Sequence, residues 1–349
     1  MSEVARDSLP SDGFGVIVGI IGCGVTGARV AANLAAATMP DGRPIGVAVH
    51  DRDRPTSRAV AARVRGLSVD RVEDLAVADV VVFCQPHPHV EQAADLIDAG
   101  VAVVSVADDP DRVVELLELD RRAVQLGVPL VIGAAMAPGL SGLLARYLAD
   151  QLDVAEEIHV AVNGTGGPAC ARRHHDALGS RSLGWQDGEW TLRTGGSGRE
   201  LCWFPGTVGA SDCYQAAHAD PVLLHRAFPE VRRISAKVAA TRRDRLTARL
   251  PMLRPPHVGG NVGAVRVEVR GALDGGARHT VIAGASGRAA ELAAAVCAAS
   301  ALACAERVLA GGVHTPGDHT TTHAGLLRRV VALGVTIEEF TGVPTPSTW

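Results

Sequence analysis

Aromatic side chains are scarce: Phe, Tyr and Trp make up 3% of the 349 residues, so a core has to be assembled from aliphatic and small side chains. Lysine is scarcer still. Lys237 is the one lysine and every other cation is an arginine, which withdraws lysine-dependent chemistry from all but one position. There is no C-x-x-C pair among the seven cysteines (Cys23, Cys84, Cys170, Cys202, Cys213, Cys297, Cys304), and their odd number does not suit a secreted disulfide scaffold. A reducing cytoplasm is the expected compartment. No uninterrupted apolar run approaches the roughly 20 residues that span a bilayer, and MSEVARDSLPSDGF lacks the basic and apolar regions of an export signal. A net charge of -4 and a pI near 6.3 provide no basic field for a phosphate backbone, so neither nucleic acid nor membrane is expected as a partner.

What is present is a chain long enough for two domains, with 47% hydrophobic residues. After a polar leader (1–13), the run GVIVGII from Gly15 to Ile21 reads as a strand buried on both faces, and a helix over Ala28 to Ala37 follows it. The alternation continues: strands at Ile45 to His50, Val80 to Cys84, Val101 to Val106 and Pro129 to Ile132, helices at Ser57 to Val64, Val90 to Ala99 and Arg112 to Gln125. Such repetition predicts an α/β domain over 14–138, a Rossmann-type doubly wound parallel sheet. Past Ala137-Pro138-Gly139 a helix runs to about Leu152, and strand-like segments then follow without long helices between them. VRVEVR from Val265 alternates strictly, and ALDGG leads into Arg278 to Ala283, which predicts an antiparallel hairpin with one wet face. Residues 139–287 are therefore expected to form a second, α+β domain built on a mostly antiparallel sheet, for substrate and dimer contacts. Residues 288–349 supply helices that pack back on the first domain.

Gly22-Cys23-Gly24-Val25-Thr26-Gly27 is a G-x-G-x-x-G between a predicted strand and a predicted helix. The first glycine permits the turn, the second lets backbone approach a pyrophosphate, and the third allows helix to pack on strand. The free N-H groups and positive dipole end of the helix face the phosphates. Asp51 ends the next strand at the distance where a carboxylate holds the ribose hydroxyls. The cofactor is NAD or NADP: Asp51 favours NAD, whereas Arg52 and Arg54 offer charge to a 2′-phosphate. Cys84-Gln85-Pro86-His87 and Ala107-Asp108 follow later strands, where the nicotinamide should run, and Cys84, Gln85, Pro86 and Ala107 join the expected cofactor contacts.

The stretch Gly164 to Gly179, GTGGPACARRHHDALG, reads as a loop after the first strand of the second domain. In it Arg172 or Arg173 is expected to clamp a substrate carboxylate, with His174, His175 or Asp176, and His87 across the cleft, moving a proton. A solvated polar loop accounts for the same composition. No metal is expected, because C-x-x-x-H-H matches no familiar ligand spacing, and His87 with His89 make only two ligands. Trp185, Trp190 and Trp203 are expected to pack the smaller sheet, with the substrate pocket as their other possible place.

Taken together, GIIGCGVTGARVAANL, VAVHDRDRP, GAAMAPGLSGLLARYL and FPGTVGASDCYQAAHADPVLLHRAFPEV resemble the saccharopine dehydrogenase-like oxidoreductases over about residues 14–317. The resemblance implies a Rossmann domain completed by C-terminal helices, a substrate domain that mediates homodimer contacts, and NAD(P)-dependent hydride transfer to or from an amine or imine carbon of a small amino-acid-like substrate. Ala137 stands where that family often has an acidic residue before Pro-Gly. This departure keeps open an NAD(P)-binding regulatory protein without turnover, and an alcohol or semialdehyde dehydrogenase is the third reading. VSVADDP replaces the Glu-Lys-Pro of sugar-type oxidoreductases, and Lys237 lies outside the lysine context of homoserine dehydrogenases, so both neighbours recede.

Overall fold

The computed structural model describes residues 15–85, 88–252, 255–273, 275–318 and 323–340. Six strands, β1 (Val16–Ile21), β2 (Ile45–His50), β3 (Leu67–Ser68), β4 (Val80–Phe83), β5 (Ala102–Ser105) and β6 (Pro129–Ile132), alternate with α1 (Val25–Ala35), α2 (Arg54–Val64), α3 (Val90–Asp98), α4 (Pro110–Leu117) and α5 (Asp120–Leu126). All pair in parallel in the order β3-β2-β1-β4-β5-β6, so the strand order reverses between β1 and β4. Continuous apolar runs form these strands because both faces are covered. Val80 and Val82 enter the core under one helix layer, while Val81 and Phe83 enter the other. In α1 the buried residues Gly27, Val30, Ala31 and Leu34 fall on one helical stripe. The single helix expected over Arg112 to Gln125 is two, α4 and α5, separated at Glu118 and Leu119.

The second half begins with α6 (Leu140–Ala149) and then forms β7 (Val154–Asn163), α7 (Pro168–Gly179), β8 (Arg181–Gln186), β9 (Glu189–Thr194), β10 (Glu200–Phe204), β11 (Gly209–Gln215), α8 (Asp220–Ala227), β12 (Arg233–Ala239), α9 (Arg242–Thr247), β13 (Val262–Leu273) and β14 (Ala277–Arg288). The chain ends with α10 (Ala289–Ala305), β15 (Gly312–His314), α11 (His323–Ala332) and β16 (Ile337–Glu339). The second sheet runs β10-β11-β12-β7-β13-β14-β16, with the β8-β9 hairpin attached to β12. It is antiparallel except for β7 against β12. The hairpin expected at Val265 is β13-β14, paired from Val262 opposite Arg288 to Leu273 opposite Ala277. One face of the sheet sends Ile158, Val160, Val265, Val267 and Val269 into a core with α6 and α10; the other carries Glu157, His159, Lys237, Arg266 and Glu268.

Two expectations change. Gly164 to Gly179 is a glycine turn leading into the helix α7, not a loop, because Pro168 occupies its first turn, where a missing N-H costs nothing, and the residues after it are helix-compatible. The three tryptophans do not form one packing group: Trp185 stacks on His225 with Trp190 at its edge, while Trp203 is 61% exposed. The C-terminal elements serve both halves. Along α10, Ala294, Cys297, Ala298 and Ala301 join the core beneath α1, and Leu292, Ala295, Val296 and Ala299 join the core of the second sheet. β15 adds a seventh parallel strand beside β6, and β16 adds an edge strand beside β14.

Candidate functional site

The strands β1, β4, β5 and β6 of the first sheet deliver their carboxyl ends to one cleft of about 210 Å³, and the second half closes it from the opposite side. Gly24, Val25 and Thr26 after β1, Cys84 and Gln85 after β4, Val106 and Asp108 after β5, and Ala135 to Ala137 after β6 line one wall. This is the crevice at the reversal of strand order, where open α/β sheets place their ligands. The facing wall is Gly164, Gly166 and Gly167, then Cys170, Arg173, His174 and Ala177 of α7, with Ala217 and His218 behind them.

The glycine turn fits a pyrophosphate on geometric grounds. Gly22 has φ +95°, a backbone conformation that side chains resist. A Cβ on Gly27 would stand 1.8 Å from the Gly22 carbonyl oxygen, whereas one on Gly24 would meet nothing within 4 Å. The tight glycine joins helix to strand and the open one leaves room for a ligand over the α1 N-terminus, which has no side-chain cap. Asp51 is fixed beside the turn: Oδ2 accepts from the Cys23 N-H at 2.7 Å and Oδ1 from the Asp53 N-H at 2.9 Å. Arg54 pairs with Asp70 at 3.3 Å and Arg52 is exposed. Burial, and Asp51 next to it, push the Cys23 thiol up to about 12, so it stays protonated. Gln85 donates to Gln92 at 3.3 Å beside the cleft, and the Ala107 N-H is held by Ser105 Oγ at 3.1 Å. Pro86 and His87 lie outside the described residues.

The helix α7 divides the residues expected from GTGGPACARRHHDALG. Arg173 and His174 line the cleft; Arg172 and Asp176 are exposed, and His175 binds the Leu250 carbonyl at 2.8 Å, outside it. Residues 100° apart around a helix cannot all reach one cavity. Arg173 is already engaged: Nη2 donates to the Ala217 carbonyl at 2.9 Å, and Nε stands 3.2 Å from Asp109 and 3.8 Å from Asp108. His174 contacts the Ala239 carbonyl at 3.1 Å, and burial lowers its pKa to about 4, leaving a neutral imidazole at pH 7. Burial raises the Cys170 thiol to about 11, with Asp108 adding to the shift. Enclosure by the protein also raises the Asp108 carboxyl, against the pull of Arg173 and His218, although a third of its side chain opens onto the cleft.

His218 and its support escaped the sequence reading. Its Nδ1 stands 2.6 Å from Oδ2 of Asp220, at ion-pair distance but without the alignment of a straight hydrogen bond. Asp220 is buried at the start of α8, and its Oδ1 accepts from Ser141 Oγ, which in turn accepts from the Gly139 N-H at 3.2 Å. A chain of contacts thus runs from the segment joining the two halves to an imidazole in the cleft. His89, by contrast, is buried, stacked on Phe83 and bonded to Ser105 Oγ at 2.8 Å. Among the described residues no three His, Cys, Asp or Glu side chains are grouped to hold a metal, and no helix is long and apolar enough to cross a membrane.

Comparison with known proteins agrees with this architecture. Residues 17–109 match the family described as NADP oxidoreductase, coenzyme F420-dependent. Saccharopine dehydrogenase (L-Glu forming) from Saccharomyces cerevisiae superposes with a TM-score of 0.68 at 15% identity, covering 93% of this chain and 100% of that one. A mutant meso-dapdh with DAP from Clostridium tetani overlaps more loosely, with a TM-score of 0.47 at 15% identity over 86% of this chain and 93% of that one. No curated protein matches by sequence. The chain therefore shares its fold with saccharopine dehydrogenase, as the sequence resemblance implies.

Proposed function

We propose that the protein is an NAD(P)-dependent oxidoreductase that moves a hydride to or from the C-N centre of an amino-acid-like amine or imine. The observation that carries this reading is the single cleft in which Gly24, Val25 and Thr26 of the glycine turn face Arg173, His174 and His218 of the second half. Gly22, Gly24 and Gly27 shape the pyrophosphate seat, Asp51 stands ready for the adenosine ribose, and Cys84, Gln85 and Ala107 flank the nicotinamide run. When bound, the nicotinamide supplies the hydride donor or acceptor. The protein's own residues then hold the substrate carbon and handle its proton, and the apolar wall of Val106, Met136, Val162 and Val238 excludes water. A carboxylate at Asp51 supports NAD over NADP, the family resemblance supports a homodimer, and the scattered cysteines support a reducing cytoplasm.

Two measurements test the reading: calorimetric binding of NADH and NADPH, and nucleotide oxidation with keto acids plus ammonia or amines. Tight NADH binding with amine-dependent turnover is the expected result; binding without turnover for any such pair would leave a nucleotide-binding regulatory protein instead. His175→Ala is expected to keep wild-type turnover and NADH affinity because its imidazole lies outside the cleft, and a tenfold loss in either would place it back in the chemistry.

A further inference from the structure

The sequence leads one to expect a guanidinium clamp for a carboxylate, but the guanidinium in the cleft is already committed and a carboxyl stands beside it. Arg173 is its cation, and it is shared among the Ala217 carbonyl, Asp109 and Asp108. Asp109 also caps α4, accepting from the Asp111 and Arg112 N-H groups. Asp220 places a buried carboxyl group behind His218, while His174 and the Cys170 thiol contribute no charge at pH 7. The groups facing His218 are thus Asp108 from the end of β5, His174 from α7 and Asp220 from α8, while Arg173 of α7 pairs with Asp108 and Asp109. An anion entering here would push the Asp108 carboxyl up further, whereas a cation beside it would favour its carboxylate form against the burial. Apart from Thr26, Cys84 and Gln85 on the glycine-turn side, the rest of the lining is glycine and aliphatic side chains.

Resting on the cleft's assignment as the oxidoreductase site, we propose that it takes its substrate as an aliphatic ammonium ion held by Asp108, and that His218 is the base that accepts the ammonium proton. With Nδ1 turned to Asp220, Nε2 is the nitrogen left for the cleft. The substrate N-H bond breaks as the Nε2-H bond forms. The bonding pair stays on the substrate nitrogen as the lone pair that would close C=N if a bound oxidised nicotinamide accepted the hydride. Asp220, held by Ser141, positions the ring and balances the imidazolium.

Pentylamine, a cation at pH 7.5, and valerate, an anion of similar length, serve as probes, each titrated by NMR into the full chain with and without NADH. At least tenfold tighter binding of pentylammonium is expected. Asp108→Asn should shrink that preference below threefold while the melting temperature stays near wild type. His218→Gln should keep pentylammonium binding and NADH affinity but remove the rising limb from the pH profile of amine-dependent NAD+ reduction. Asp220→Asn should switch the His218 tautomer seen by 15N NMR. Valerate binding as tightly as pentylammonium to the wild-type protein overturns the inference without any variant, as does an unchanged preference in Asp108→Asn. NADH binding with no preference for the cation removes this inference alone, whereas failure to bind NADH removes the site reading as well.

Discussion

Two glycines three residues apart in the same turn should fail in different ways when each gains a methyl group. At Gly24 the backbone is ordinary extended chain (φ −67°, ψ −166°) and the new Cβ has nothing within 4 Å, so Gly24→Ala should cost the fold under about 1 kcal/mol. That same methyl occupies the space over the α1 N-terminus where a pyrophosphate approaches. Loss of one charge-assisted N-H contact, about 1.5–3 kcal/mol, weakens nucleotide binding by roughly 10- to 150-fold. At Gly27 the Cβ falls 1.8 Å from the Gly22 carbonyl oxygen and 3.2 Å from the Cys84 Cβ. No rotamer relieves an overlap with backbone, so α1 has to lift from β1, at a cost of about 1–3 kcal/mol or more. Urea denaturation followed by far-UV circular dichroism measures the first quantity and calorimetry with NADH the second. A folded Gly24→Ala protein that binds NADH like wild type would refute the reasoning, and so would a Gly27→Ala protein as stable as wild type.

Acid should weaken the fold through His174. Its folded pKa, about 4, lies below the ordinary histidine value, so between about pH 6.5 and 4 the unfolded chain binds a proton that the native one refuses; stability falls across that window by up to about 3 kcal/mol and stays lost below it. His174→Gln should flatten that part of the curve of denaturation midpoint against pH, and an unchanged slope would show that the ring is charged in the native state. Ser141→Ala removes a buried donor from Asp220 and the acceptor of the Gly139 N-H, and should cost about 1–3 kcal/mol in urea denaturation. A change below about 0.5 kcal/mol would mean that Asp220 finds another donor.

The first domain was legible because its signals are local. Five apolar runs with helices between them, and a glycine turn followed by Asp51 one strand later, specify a parallel sheet and its crevice without reference to the rest of the chain. The short strands β3, β15 and β16 left no such signal, since two or three residues carry no period and are defined by the neighbour they pair with. The second domain's chemistry was read from crowding rather than position. GTGGPACARRHHDALG contains the right residue types, yet its helix turns Arg172, His175 and Asp176 away and leaves Arg173 and His174 in the cleft. His218 is the reverse case. In AAHADP it is an isolated histidine, and only the fold brings Asp220, Ser141 and Asp108 around it. The sole clue was an Asp-Pro helix start two residues later, which fixes where that carboxylate sits.

The helix α10 has a bearing on how the chain is made. Its small side chains complete the layer beneath α1 and, on its other flank, the core of the second sheet. During synthesis from the N-terminus, the parallel sheet and α1 therefore emerge long before α10, and the part of that face which α10 covers stays open until about residue 305 has left the ribosome. Neither half can close early. Ala289 and Ala293 of the same helix line the cleft, so its wall is completed in that late step as well.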